Sequence, residues 1–262
     1  MELQAWRIAG ASAVGTSHAK SNSPCQDAFR CALFQSQEQG EIALLMACDG
    51  AGSAKFSDLG AELACREFAS NLELYVADGH RIEALDRVKM REWLDNVVTA
   101  LNVRAAADGE RLRDYACTLL AAILSPTHAV FVQVGDGAMI VREGPEEWCY
   151  IFWPQHGEYI NTTCFITEPD SLDNYEFTIV ANPVHEVAVF TDGIEPLVLQ
   201  YSTNTVHSRW FNQMLPPVRA LPQAGFDEAL SQKLATYLSS EAVCARTDDD
   251  KTLLLASRIK TF

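Results

Sequence analysis

The stretch Ile42-Ala43-Leu44-Leu45-Met46-Ala47-Cys48-Asp49-Gly50-Ala51-Gly52-Ser53 sets a pattern that returns along the chain. Its apolar part, residues 42–48, predicts a fully buried strand, and the carboxylate of Asp49 follows that strand directly. Gly50 and Gly52 then allow the backbone to turn sharply. Because a long helical pattern comes next, Asp49-Gly50 fits a simple hairpin poorly, and we expect Asp49 at a strand tip beside a ligand.

Three further acidic sites adjoin apolar segments. They are Asp136-Gly137 after residues 130–134, Asp192-Gly193 after residues 187–190, and Asp248-Asp249-Asp250 before residues 253–256. Asp-Gly between apolar runs is also a strong hairpin signal, and Asp136-Gly137 fits such a turn because a short apolar run follows it. If the strand ends converge, the acids form a cluster of like charges that stays ionised only around a cation.

Composition limits the class of protein. The 262 residues suffice for one large domain with an ample core, and we expect a single domain over 1–262. A formal net charge of −15 without runs of Lys or Arg argues against a nucleic-acid partner. The first residues show no signal-peptide pattern, and no apolar run reaches the roughly 18 residues of a membrane span. We therefore expect a cytoplasmic protein without a membrane anchor.

The eight cysteines include no Cys-x-x-Cys pair and lie mostly inside apolar patterns. They are expected to be reduced, buried thiols, which behave as small hydrophobic side chains. No cysteine is followed by Arg six positions later, so a phosphocysteine type of tyrosine phosphatase has no support.

The order of predicted elements indicates the fold class. Three strands come first, over 6–13, 28–36 and 42–48, and we expect them to form a meander with a loop over 15–24. Two helices follow, over about 56–76 and 81–107, then strands up to 191 with an irregular stretch over 143–175. Helices over 210–215 and 226–238, separated by a Pro-rich loop, precede a last strand over 253–259. This non-alternating order predicts an α+β domain with sheets packed together and helices outside, and it argues against a Rossmann sheet.

An acid cluster without histidine favours hard cations. Carboxylate and carbonyl oxygens are ligands that Mg²⁺ and Mn²⁺ prefer, whereas zinc and copper favour nitrogen and sulfur. Two such ions a few ångströms apart can share a water and activate it for in-line attack on phosphorus. The expected reaction is hydrolysis of a phosphomonoester.

Six short motifs, read in order, resemble those of the metal-dependent, type-2C serine/threonine protein phosphatases, in their bacterial subtype. They are Gln26-Asp27, Asp49-Gly50-Ala51-Gly52, Thr118, Val134-Gly135-Asp136, Thr191-Asp192-Gly193 and Asp249-Asp250-Lys251-Thr252. Each motif alone is weak, but together they span about residues 15–256. The resemblance implies a four-layer αββα sandwich, in which two mostly antiparallel β-sheets are flanked by pairs of helices.

The resemblance also implies metal ligands. Asp49 would bridge two Mn²⁺ or Mg²⁺ ions, and the carbonyl of Gly50 would bind one of them. Asp192 and Asp249 would complete the other ion. Within the run Asp248-Asp249-Asp250, spacing favours Asp249, and both of its neighbours stay open as alternatives.

Further roles come from the same resemblance. Asp27 would hold metal-bound water, and Asp136 would be the ligand of a looser third ion. The segment over about 142–186 would be the family's mobile flap, which influences substrate choice. His156 within it is a candidate for protonating the leaving group, although a solvated loop histidine is the simpler interpretation.

The chain departs from the family at the phosphate-binding arginine. The family usually has Arg five residues before the aspartate that matches Asp27, but this chain has Asn22 there. The nearest cations upstream are Lys20 and His18. We expect Lys20 to bind the substrate phosphate as a point charge, with His18 as the alternative.

The resemblance implies an enzyme that hydrolyses phosphoserine and phosphothreonine in proteins, acts as a monomer, and is paired with a Ser/Thr kinase. An alternative is a catalytically silent relative that binds phosphoproteins or serves as a scaffold. The intact acids argue against it, because a silent copy could lose Asp49 or Asp192 without harm to the fold. Nucleotide binding by Gly50 and Gly52 is a third hypothesis, but a third glycine is absent and the strand order is wrong.

Overall fold

The computed structural model describes residues 5–155 and 163–258 of the chain. Its strands are β1 (Trp6–Ala13), β2 (Ala28–Ser36), β3 (Gly40–Cys48), β4 (Leu119–Leu124), β5 (Ala129–Val134), β6 (Ala138–Arg142), β7 (Trp148–Tyr150), β8 (Glu176–Val180), β9 (Glu186–Phe190), β10 (Leu199–Gln200), β11 (Thr205–Val206), β12 (Gly225–Phe226) and β13 (Lys251–Arg258). Its α-helices are α1 (Thr16–Ser21), α2 (Ser57–Ala77), α3 (Arg87–Asp108), α4 (Glu195–Val198), α5 (Ser208–Arg219), α6 (Glu228–Leu238) and α7 (Glu241–Cys244).

Two large sheets form the centre of the molecule. One has the strand order β12-β1-β13-β9-β6-β7, and the other has the order β2-β3-β4-β5-β8. Neighbouring strands in both sheets are antiparallel except β12, which runs parallel to β1. The predicted pair of mostly antiparallel sheets is confirmed.

Strand β3 shows why these layers form. Because successive side chains of a strand point to opposite faces, Leu44 and Met46 join the core under α2 and α3, whereas Ala43 and Leu45 join the core between the two sheets. A strand that is covered on both faces is apolar throughout, as the sequence of β3 is. A third core lies between the six-stranded sheet and the pair α5 and α6, which completes four layers.

The predicted meander of the first three strands is wrong. Strand β1 pairs with β13, with Trp6 opposite Arg258, while β2 and β3 pair with each other in the other sheet. The connection from β1 to β2 therefore crosses between the sheets, and it carries helix α1 where a loop was predicted. Asn22 ends this helix in the left-handed conformation, with φ of 57°, which asparagine tolerates better than most residues.

Two helix predictions also change. The pattern over 81–107 divides into a short 3-10 turn, Ile82–Ala84, and α3, because the side chain of Asp86 accepts a hydrogen bond from the N–H of Lys89 at 2.8 Å and caps a new start. Helix α5 continues through Pro216 and Pro217, where a loop was predicted. Its buried residues lie on both sides of these prolines, and packing of that face on the sheet keeps the segment helical.

No helix within the described ranges combines the length and the apolarity that crossing a bilayer requires.

Candidate metal centre

Three carboxylates meet where the strand ends of the two sheets face each other. One side-chain oxygen from each of Asp49, Asp136 and Asp192 lies within 4.8 Å of the others. Asp49 follows β3 in one sheet, Asp192 follows β9 in the other, and Asp136 lies in the turn between β5 and β6. The sandwich thus brings together acids that are far apart in the sequence.

Hydrogen bonds to Thr118 fix the backbone of Asp49. Its N–H donates to Oγ1 of Thr118 at 2.9 Å, and the N–H of Thr118 donates to the carbonyl of Asp49 at 2.8 Å. Gly50, the next residue, forms an isolated antiparallel β-bridge with the backbone of Cys117. A Cβ at position 50 would lie 2.5 Å from the carbonyl oxygen of Gln26, so only glycine lets the chain pass this closely.

Asp27 is buried, and its side chain lies within hydrogen-bonding reach of Asp49. Its Oδ2 accepts hydrogen bonds from the hydroxyls of Thr191 and Thr252, both at 2.7 Å. Burial raises the pKa of Asp27 to about 6, although these two hydrogen bonds offset part of the effect. Sequence analysis did not identify the two threonines as partners of Asp27, even though both belong to the motifs that carry the family resemblance.

The electrostatics of the cluster favour a cation. Burial raises the pKa of Asp49 well above its ordinary value, and the charges of Asp27, Asp192 and Asp136 raise it further. Burial and the charge of Asp136 likewise raise the pKa of Asp192. Carboxylates so arranged oppose each other's ionisation until a cation lies among them. Their hard oxygen donors fit Mg²⁺ or Mn²⁺.

Asp136 lies in a turn that crosses between the sheets. The predicted hairpin at Asp136-Gly137 is wrong, because β5 pairs with β4 and β8 whereas β6 pairs with β7 and β9. The turn requires φ of 95° at Gly135 and 80° at Gly137, values that glycine adopts readily.

Three successive N–H groups of this turn are bound by side chains. Gly135 donates to Oε1 of Gln155 at 3.2 Å, Asp136 to Oγ1 of Thr163 at 3.1 Å, and Gly137 to Oε1 of Glu195 at 2.7 Å. Sequence analysis missed Gln155, Thr163 and Glu195, since nothing in their spacing connects them with the turn. Gln155 and Thr163 come from the predicted flap segment. His156 lies outside the described residues.

The aspartate run before β13 separates into three environments. Asp250 is buried and accepts hydrogen bonds from the N–H groups of Gly15, at 2.6 Å, and Gln26, at 2.5 Å. Asp248 is exposed. Asp249 is half-buried, and its charge contributes to the raised pKa of Asp192, although it is not one of the three acids within 4.8 Å.

The two candidate phosphate-binding residues lie on helix α1. Nδ1 of His18 lies 2.9 Å from a carboxylate oxygen of Asp250, so this imidazole has an acidic partner. Lys20 is exposed in the last turn of the same helix. Lys251, which was not proposed for a role, is buried, and its Nζ donates to the carbonyl of Asp249 at 2.8 Å.

Comparisons with known proteins agree with this geometry. The family model described as "Protein phosphatase 2C" matches residues 14–239. Serine/threonine-protein phosphatase 3 of Escherichia coli K12 is 36% identical over 251 residues, which cover 96% of this chain and 98% of that protein.

Solved structures share the fold. Serine/threonine phosphatase Stp1 from Staphylococcus aureus superposes with a TM-score of 0.66 at 17% identity, covering 100% of this chain and 98% of that one. The catalytic domain of the phosphatase PstP, solved in complex with two manganese ions, gives a TM-score of 0.62 at 16% identity, covering 98% of this chain and 100% of that one. The chain belongs to the protein phosphatase 2C family.

Proposed function

We propose that this protein is a metal-dependent phosphatase that hydrolyses phosphoserine and phosphothreonine in other proteins. The observation that carries the proposal is the meeting of Asp49, Asp136 and Asp192 within 4.8 Å at the junction of the two sheets. Family membership and the relation to a serine/threonine-protein phosphatase support it.

The acids have separate roles toward the metal. Asp49, the Gly50 carbonyl, Asp192 and Asp249 would hold two Mn²⁺ or Mg²⁺ ions, and Asp136 would serve a looser third. Such ions, when bound, lower the pKa of water and neutralise charge on a phosphoryl group. The fit rests on the donor set, which within the described cluster consists of hard carboxylate oxygens.

Asp27 would hold and orient a water at the metal centre. Because the hydroxyls of Thr191 and Thr252 both bind Oδ2, the carboxylate cannot rotate freely, and its group lies within hydrogen-bonding reach of Asp49. Burial raises the pKa of Asp27 to about 6 in the metal-free protein, and cations among the neighbouring acids would lower this pKa and keep the carboxylate ionised.

Substrate binding needs a cation, because a phosphate dianion must be oriented as well as neutralised. We propose Lys20 for this role, with His18 as the alternative. Lys20 is exposed and can reach toward a ligand, whereas His18 lies against Asp250. We further propose a monomeric single domain with a flap over about 142–186, which acts on phosphoproteins opposite a Ser/Thr kinase.

Hydrolysis of phosphoserine and phosphothreonine peptides tests the proposal. We expect phosphate release with added Mn²⁺ or Mg²⁺ and none after chelation, with metal content checked by atomic absorption. A phosphotyrosine peptide of the same sequence is the matched control and should react more slowly. Metal-saturated protein that binds the phosphopeptides without hydrolysing them would instead indicate the silent phosphoprotein-binding module.

A further inference from the structure

Glu195 is a buried carboxylate outside the set of expected metal ligands. It is the first residue of α4, three positions after Asp192, and only 3% of its surface is exposed. Its Oε1 accepts the hydrogen bond from the N–H of Gly137 at 2.7 Å. This contact joins α4, which follows β9, to the turn that carries Asp136.

Tyr201 holds the other oxygen of the same carboxylate. Its hydroxyl donates to Oε2 of Glu195. The ring of Tyr201 packs edge to face against Trp153, with ring centroids 5.5 Å apart. Both carboxylate oxygens of Glu195 are therefore engaged, one by the turn and one by the tyrosine, which fixes the rotamer of Glu195.

The turn needs such an anchor. Gly135 and Gly137 flank Asp136, and glycine gives a backbone more freedom than any other residue. The anchors at Gly135 and Asp136 come from Gln155 and Thr163, which lie outside the named helices and strands. Glu195 differs from them because it projects from an element that follows a central strand of the six-stranded sheet.

We propose that Glu195 and Tyr201 are positioning residues that set the affinity of the Asp136 metal position. Glu195 fixes the Gly137 N–H, Tyr201 fixes Glu195, and together they hold the Asp136 carboxylate against Asp49 and Asp192. The proposal rests on the proposed function, since it takes the acid cluster to be a metal centre. Both residues act through the Gly137 N–H and the turn that carries Asp136.

The experiment compares Glu195→Ala, Glu195→Gln and Tyr201→Phe in the full chain. Mn²⁺ binding is measured by titration calorimetry, and hydrolysis of an aryl phosphate is followed as a function of Mn²⁺ concentration. Glu195→Ala should weaken the loosest Mn²⁺ by about tenfold, the effect of one lost buried hydrogen bond, and leave the tighter ions unchanged. Tyr201→Phe should weaken it by roughly threefold, because the carboxylate stays but loses its support.

The conservative variant separates geometry from charge. Glu195→Gln keeps an oxygen that can accept from Gly137, so it should retain Mn²⁺ affinity within about threefold of wild type. Two matched controls should leave Mn²⁺ binding unchanged. Glu241→Ala removes an exposed glutamate that also begins a four-residue helix, and Tyr237→Phe removes a tyrosine hydroxyl that binds Trp210 on the outer helices.

A purely structural role gives a different result. If Glu195→Ala and Tyr201→Phe lower the unfolding temperature but keep wild-type Mn²⁺ binding constants, the proposal is wrong. If Glu195→Ala does not fold, Tyr201→Phe decides by the same criterion. If wild-type protein binds Mn²⁺ but hydrolyses no phosphoester, the proposed function fails, while a shift in the loosest Mn²⁺ constant still supports the positioning role.

Discussion

Thr118 and Asp49 bind each other through two hydrogen bonds, one in each direction. The N–H of Asp49 donates to the Thr118 hydroxyl, and the N–H of Thr118 donates to the Asp49 carbonyl. Thr118 is fully buried, so no water can replace its hydroxyl as the acceptor.

Replacement of Thr118 should therefore disturb Asp49. Thr118→Val keeps the shape but leaves the part-buried N–H of Asp49 without its acceptor, which should cost about 1 kcal/mol of unfolding free energy. Thr118→Ser keeps the hydroxyl and should cost less. Urea unfolding and Mn²⁺-dependent turnover of both variants check this, and equal stability of the two would contradict the role of the hydroxyl.

Asp249 and Asp250, in the aspartate run before β13, should have different roles. Asp249→Asn should weaken Mn²⁺ binding with little effect on the fold, because Asp249 is half-buried and acts electrostatically on Asp192. Asp250→Asn should mainly lower stability, because Asp250 binds the N–H groups of Gly15 and Gln26. In calorimetric Mn²⁺ titration, Asp249→Asn should bind Mn²⁺ more weakly than Asp250→Asn. In thermal unfolding, Asp250→Asn should have the lower unfolding temperature of the two. Loss of Mn²⁺ binding in Asp250→Asn alone would move the ligand to Asp250.

Lys20 should contribute to substrate binding. Lys20→Ala should raise the Michaelis constant and lower turnover by about tenfold to a hundredfold, which equals about 1.4 to 2.7 kcal/mol of transition-state stabilisation. Lys20→Arg should retain part of the activity, and Mn²⁺ affinity should stay nearly unchanged in both. A silent Lys20→Ala combined with a strong effect of His18→Ala would assign the role to His18.

The acid cluster should make the metal-free protein less stable as pH rises. The pKa of Asp27 is about 6 in the folded protein and lower when unfolded, and the pKa values of Asp49 and Asp192 are raised in the same direction. Below the unfolded pKa both states are protonated. Above it the unfolded state releases its protons first and is thereby stabilised relative to the folded state. The loss of stability due to Asp27 is complete once pH exceeds about 6.

Scanning calorimetry between about pH 4 and 6 measures this dependence, because the ordinary pKa of an aspartate is 3.8 and the pKa of folded Asp27 is about 6. Without metal, the unfolding temperature of wild-type protein should fall with rising pH more steeply than that of Asp27→Asn, and Mn²⁺ should reduce the slope. An unfolding temperature with the same slope in both proteins would contradict the raised pKa of Asp27.

Sequence patterns predicted that Asp49, Asp136 and Asp192 converge, which the structure shows, but not the contacts that place them. Asp49 and Asp192 could be predicted as candidate site residues because each follows an apolar strand, which is a local pattern. The pairing of β1 with β13 could not be predicted, since the periodicity of a strand shows which side chains face the core but not which strand lies beside it. For the same reason Asp250 looked like its neighbours until the fold brought Gly15 and Gln26 to it. Glu195 resembled an ordinary acidic residue at a helix start, where the helix dipole favours carboxylates.

The most direct test of the account is Mn²⁺ binding and turnover of Asp49→Asn beside Asp78→Asn, an exposed aspartate at the end of α2. We expect Asp49→Asn to fold, to lose most Mn²⁺ binding in calorimetry, and to lose nearly all phosphoester hydrolysis. Its metal-free form should be at least as stable as wild type, because one of several opposed charges is removed. Asp78→Asn should match wild type in each measurement. Wild-type turnover by Asp49→Asn, with its metal content confirmed, would contradict the account.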